Sequence, residues 1–292
     1  MASSDLKYRL KNASVITKLI IINVVLFIVF KILSLAPGST VASFERLFLL
    51  PHDFSDFLQQ PWSIITYSFF HGGIWHVGMN MFILYWVGEF VLNLFSAKRF
   101  LTVYFLGAMA GGALFLLCYD LLPFEMKAWP LGGASGAVMA IMVFIAAYAP
   151  YTEVRIIRWN LKLWHIAAFF VVFDLFRLAT GQNPGGMLAH LGGAGFGYLY
   201  AKQLAKGNDI GKWFENLMDG IANLFKTRKS KPFKKVHRNK TTQSKSGRSK
   251  EKVSKSEHQR KVDGILDKIG KSGYESLTKA EKDFLFKAGK ND

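Results

Sequence analysis

Three short runs of this 292-residue chain hold side chains that could carry out acyl transfer. Gly132-Gly133-Ala134-Ser135-Gly136-Ala137 sets a serine among residues without bulk, and Ala189-His190-Leu191-Gly192-Gly193-Ala194-Gly195-Phe196-Gly197 sets a histidine in a second glycine-rich stretch. Serine alone is a weak nucleophile. It needs a base within hydrogen-bond reach, and neutral imidazole, with an ordinary pKa of about 6.5, can accept its proton near neutral pH. The third run, Phe70-His71-Gly72-Gly73-Ile74-Trp75-His76-Val77-Gly78-Met79-Asn80, places His76 and Asn80 at i, i+4 on one helix face. There they could donate to a developing oxyanion, as could the backbone amide of Ser135. No Asp or Glu lies in the stretches around Ser135 and His190, so a two-member pair is expected, with packing rather than a carboxylate orienting the imidazole.

Each of these residues also has a plainer use. A serine in an apolar helix often bonds back to its own turn or joins two helices, His76 could simply sit at a membrane interface, and Asn80 could join two helices. His71, His76 and His190 could instead ligate zinc, but HExxH is absent and no paired acid is near. Against the plain readings, a histidine inside a membrane span is costly enough to mark function.

The elements that must position these groups are membrane helices. A 51% hydrophobic, 15% aromatic composition excludes a wholly disordered chain and argues against an ordinary soluble domain. The single cysteine, Cys118, excludes a disulfide scaffold. A bilayer core of about 30 Å needs about 20 helical residues. Six stretches approach that: residues 18–36, 76–95, 99–122, 134–151, 162–180 and 187–205. They predict an all-α membrane protein of six spans, the first retained rather than cleaved as a signal peptide. The third, fourth and sixth are rich in glycine and alanine and should form the centre of the bundle. Ala189, Gly193 and Gly197 share a small face beside His190, while Gly136 and Ala140 form a matching one beside Ser135, so these two helices can touch where the two side chains lie.

Lys7, Arg9, Lys11 and Lys18, then Lys98 and Arg99, then Arg155, Arg158 and Lys162, then Lys202 and Lys206 fall on one side of the spans. The alternate loops, 37–75, 123–133 and 181–186, carry only Arg46 and Lys127 as cations. The positive-inside rule therefore predicts both termini in the cytoplasm and the candidate site near the outer face. Because lipid excludes the water that hydrolysis needs, the helices must enclose a polar cavity open to that face.

Beyond the spans, residues 1–17 read as a cytoplasmic segment, 18–206 as the membrane domain, and 207–225 as an amphipathic helix on the inner leaflet, with Trp213, Phe214, Leu217, Ile221 and Leu224 on its apolar side and Lys212, Glu215 and Asp219 elsewhere. Of the 37 Lys and Arg, 15 fall between Lys226 and Lys261, opposed only by Glu251 and Glu257. Residues 226–260 are expected to be a disordered linker that attracts anionic lipid in preference to nucleic acid. Residues 261–292 read as a small two-helix module, its second helix opened by a capping box of Thr278 and Glu281.

The HxxxN pair, GxSG and AHxxGxxxG, in this order, resemble the signature of rhomboid intramembrane serine proteases, over roughly residues 15–205. The resemblance implies a six-helix bundle of bacterial type in the inner membrane of a bacterium, cutting transmembrane protein substrates near the outer face without metal or cofactor. It makes Ser135 the nucleophile, His190 the base, and His76, Asn80 and the Ser135 amide the oxyanion hole. His71, Trp62, Met139 and Gly133 are its candidate supporting residues. The family's frequent Trp-Arg pair is Trp62-Ser63 here, and the aromatic residue often found four positions after the nucleophile is Met139. Phe169, Phe173 and Phe176 on the fifth span would flank substrate entry. Asp174 and Arg177, at i, i+3, are expected to pair with each other. The tail module is similar to one attached to some bacterial members. The rival functions are a non-proteolytic relative that binds and escorts membrane helices, and transport through the cavity.

Overall fold

The computed structural model describes residues 2–37, 40–119, 129–156, 158–224 and 250–288. The chain divides into two compact units, Met1–Thr227 and Arg228–Asp292. In the first, a polar α1 (Ala2–Asn12) leads to α2 (Val15–Ser34), which Ser14 caps by accepting from the Thr17 amide at 3.1 Å. The connection expected as a loop is itself built from helices: α3 (Val41–Arg46), α4 (Phe54–Gln59), α5 (Ser63–Thr66) and a 3-10 turn at Tyr67–Phe69. Then come α6 (Ile74–Leu94), α7 (Ala97–Tyr119) and α8 (Ser135–Tyr148). An antiparallel hairpin of β1 (Glu153–Ile156) and β2 (Trp159–Lys162), which the sequence did not announce, leads to α9 (Leu163–Ala179), α10 (Pro184–Ala205) and α11 (Lys212–Leu224).

Helices α2, α6, α7, α8, α9 and α10 stand where the six apolar stretches lie. Three of them, Val15–Ser34, Ile74–Leu94 and Ala97–Cys118, are long and apolar enough to cross a membrane by themselves. The others fall short for physical reasons. The 14 residues of α8 extend about 21 Å against about 30 Å of hydrocarbon. It is apolar throughout, and it is buried from Gly136 through Ala146, enclosed by α6, α7, α9 and α10. The 17 residues of α9 are also short, and α10, though 22 long, is diluted by glycine.

That glycine sets the packing. A Cβ added at Gly193 would fall on the Gly136 carbonyl, and one at Gly197 on the Ala140 carbonyl. One at Gly192 would lie 2.6 Å from the Ala110 carbonyl of α7. So α10 lies against α7 and α8 backbone to backbone, against α8 on the small faces that the sequence predicts. The outer helices turn bulk outward: Ile22, Val25, Ile28 and Ile32 of α2, Trp75, Phe82 and Tyr85 of α6, and Phe169, Phe173 and Phe176 of α9 are all exposed.

On α11 the apolar side, Trp213, Leu217, Ile221 and Leu224, is exposed, except for Phe214, which is buried beside Phe105 of α7. Glu215 departs from the expected polar side: it is buried, with Oε1 3.5 Å from Arg99 Nε and Oε2 2.9 Å from Lys212 Nζ. Arg99 also pairs with Asp209, and Lys98 lies 2.6 Å from Asp219. A buried carboxylate is costly unless a partner offsets its desolvation, and here Arg99 in the first turn of α7 supplies a cation.

In the second unit, α12 (Lys250–Ser272) and α13 (Lys279–Ala288) flank a 3-10 turn at Tyr274–Ser276. The expected capping box forms, with Glu281 accepting from the Thr278 amide at 2.7 Å. Lys268 Nζ lies 2.9 Å from the same carboxylate and, with Thr278, holds its pKa down to about 2. Of the expected linker, 226–249 falls outside the described residues, and from Lys250 onward it is helix rather than disordered chain. With neither Gly nor Pro between Lys250 and Asp263, the helix built on the Ile265 stripe propagates backward.

Candidate active site

Ser135 is the first residue of α8, so its amide is among those that a helix leaves without an internal partner. The turn before it is pinned from three sides. Leu131 and Leu50 exchange backbone hydrogen bonds at 2.8 and 3.0 Å, the Gly133 amide donates to the Tyr67 carbonyl at 2.9 Å, and the Ala134 amide donates to His71 Nε2 at 3.3 Å. Gly133 has φ +126°, which a side chain would strain, and a Cβ there would lie 2.6 Å from His76 Nε2. The His76 ring thus lies against the backbone just ahead of Ser135.

His190 is placed by the start of α10. Asn183, in the left-handed region at φ 47°, caps the helix by accepting from the Gly186 amide at 3.3 Å, and Pro184 follows as its first residue. His190 therefore stands in the second turn, three residues before the Gly193 contact with α8. On α6, Asn80 is buried and donates one amide hydrogen to its own helix, at the His76 carbonyl, 2.8 Å away, which leaves the other for a ligand.

Ser135, His190, His71, His76 and Asn80 line one cavity of about 1840 Å³, with Trp62 on its wall. Among the described residues Ser135 and His190 share no hydrogen bond; the side-chain partner of His190 is Asp174. His71, His76 and His190 do not form a group that could hold a metal ion among the described residues. Met139 is buried inside α8 and takes no part in the cavity wall.

The supporting residues hold the site in ways that the sequence only partly announces. Trp62 Nε1 donates to the Leu47 carbonyl at 2.7 Å, Thr66 Oγ1 to Phe48 at 2.8 Å and Gln60 Nε2 to Leu49 at 3.2 Å. Three successive carbonyls thus anchor the first loop without an arginine, and Ser63, in the arginine's place, is fully buried. The His71 ring meets that of His76 edge-on at 5.1 Å. Burial, then the neighbouring His76, push its pKa down to about 4, so it stays neutral and its Nε2 keeps the lone pair that receives the Ala134 amide.

One expectation is overturned. Asp174 does not pair with Arg177: its Oδ2 lies 2.9 Å from His190 Nδ1, while the Arg177 guanidinium stands over the Phe173 ring at 5.9 Å. The absence of a carboxylate from the spans of Ser135 and His190 did not exclude one from a neighbouring helix. The signal was available in the sequence. Asp174 and His190 each lie eight residues from Gln182, at the centre of the tight turn between α9 and α10. In an antiparallel helix pair such residues lie at one depth.

A sequence model of the rhomboid domain matches residues 58–207, and one of a family of unknown function matches residues 250–289. The chain is 28% identical to the mitochondrial Rhomboid protein 1 of Saccharomyces cerevisiae over 54% of its own length and 49% of the relative's. It is 27% identical to Rhomboid-like protease 3 of Toxoplasma gondii, over 60% and 63%. With the mitochondrial RHOMBOID-like protein 12 of Arabidopsis thaliana it shares 29% identity, over 50% and 47%. The chain thus spans about half to two-thirds of the length of these relatives. Two of the three carry mitochondrial names, which overturns the expected inner membrane of a bacterium. With the rhomboid match covering just over half of its residues, the chain belongs to the rhomboid family.

Proposed function

We propose that the chain is an intramembrane serine endopeptidase that hydrolyses peptide bonds in transmembrane substrates. The observation that supports this most directly is the opening of Ser135 and His190 onto one cavity with His76 and Asn80. Ser135 Oγ attacks the scissile carbonyl carbon while its proton passes to the His190 ring. The carbonyl oxygen becomes an oxyanion among the Ser135 amide, His76 and Asn80, beside the positive end of α8. Collapse breaks the C–N bond, with the proton returning from His190 to the leaving amine. Water then takes the serine's part to release the acid. Helices α2 and α6–α10 serve as six spans with both termini on one side, and the exposed face of α11 and the basic run after it bind anionic lipid rather than nucleic acid.

The test is labelling by a serine-directed fluorophosphonate together with cleavage of a model transmembrane substrate. Ser135→Ala should abolish both and His190→Ala should abolish cleavage, each variant remaining folded. Near-wild-type turnover in either would remove the assignment. A wild type that binds the substrate helix without label or cleavage would support the escort role instead.

A further inference from the structure

Asp174 is only 3% exposed, on an apolar helix whose outer face is phenylalanine, and the nearest cation along that helix points elsewhere. A carboxylate in such a place is costly unless a hydrogen bond offsets its desolvation. Its partner is the very side chain that the proposed chemistry needs as a base, at 2.9 Å from Nδ1. An ionised carboxylate only accepts, so the hydrogen lies on Nδ1. In neutral imidazole that leaves Nε2 with the lone pair, the form able to receive a hydroxyl proton. We propose, on the reading that Ser135 and His190 perform the hydrolysis, that Asp174 is a positioning residue that completes a Ser135–His190–Asp174 relay. It fixes the ring in the Nδ1–H form, sets its rotation, and stabilises the imidazolium that exists while Ser135 is bonded to substrate. The proton moves from Ser135 Oγ to Nε2 and later to the leaving amine, and Asp174 stays ionised throughout.

The alternative use of the contact is mechanical, a tie between α9 and α10. The two are separated by measuring both chemistry and tautomer on the full chain in detergent. Asp174→Asn should lower kcat by on the order of 10²- to 10⁴-fold with KM within about twofold and the unfolding midpoint little changed, since losing the carboxylate costs soluble Ser-His-Asp enzymes roughly 10⁴. Asp174→Glu should recover part of the loss. A kcat within about threefold of wild type in a folded Asp174→Asn protein would overturn the proposal. Nitrogen-15 histidine spectra of the wild type, with His190 assigned by His190→Gln, keep the relay falsifiable even if the Asp174 variants do not fold: Nδ1–H is expected, and Nε2–H would overturn it. Should the wild type show Nδ1–H but neither label nor cleave, the peptidase reading fails and the catalytic role of Asp174 with it. Should it cleave with Nε2–H, only the relay fails.

Discussion

Of the three helices beside α10, two hold it in opposite ways. Against α8 the contact is backbone on backbone, through Gly136, Ala140, Gly193 and Gly197. Against α9 it depends on a short turn and on one polar side-chain contact, Asp174 to His190, while Phe169, Phe173 and Phe176 face away. Contact by absent side chains fixes the separation of Ser135 and His190 closely and tolerates no growth. Contact by side chains leaves α9 adjustable, so the orientation of the His190 ring rests on the more adjustable helix while its position rests on the rigid one.

The sharpest way to break this contrast is to add bulk on the rigid side. Gly193→Val and Gly197→Val should each cost about 1–3 kcal/mol or more of overpacking strain, and together an amount comparable to a domain's whole stability. Thermal unfolding in detergent reads this, and a double variant that melts like wild type would show that the helices can part. Smaller, and in rate rather than stability, is Asn80→Ala. A strong oxyanion donor contributes about 2.7–4 kcal/mol, and with one amide hydrogen already held by the His76 carbonyl the fall in kcat should lie at or below that range. An unchanged kcat would move the oxyanion hole elsewhere.

Acid should loosen the turn ahead of Ser135 by a graded amount. The folded-state pKa of His71 is depressed to about 4, so its contribution is complete above the ordinary value near 6.5 and is lost as pH falls from there towards 4. Protonation also removes the acceptor for the Ala134 amide. The unfolding midpoint of the wild type should fall over this window and that of His71→Gln should fall less; parallel profiles would assign the acid sensitivity to another group. Least of all should Phe173→Ala matter to stability, within about 0.5 kcal/mol, as a substitution on an outward face. Deletion from Lys226, which leaves the Arg99–Glu215 contact intact, should likewise preserve cleavage of a solubilised substrate; loss of activity in a folded truncation would tie the tail to the catalytic unit.

The sequence carried the α8–α10 contact almost completely, because small residues at i, i+4, i+8 specify a close approach without reference to anything else. On the rotation of α9 it held only a faint sign. Whether Asp174 meets Arg177 or His190 depends on the rotation of one helix against another, which periodicity does not encode and only the symmetry about Gln182 hints at. The first loop was illegible for a related reason. Its short helices are held by side-chain donors to backbone carbonyls, and a carbonyl leaves no mark in residue type. Glu215 was misread because the wheel of α11 shows an apolar side and a polar side but not the cation that Arg99 brings from another turn.

The three carbonyls of Leu47, Phe48 and Leu49 that receive Trp62, Thr66 and Gln60 carry a consequence for how this loop can change over time. Every non-terminal residue brings the same acceptor, so half-exposed Leu47 can become threonine and keep its bond from Trp62, whereas one residue inserted after Phe48 shifts the Leu49 carbonyl out of phase with the other two. Comparing the melting of those two variants would measure the difference. The segment is thus a spacer of fixed length, closed to insertion or deletion, whose residue types are constrained by packing, as where Phe48 stacks on Phe70, rather than by these hydrogen bonds.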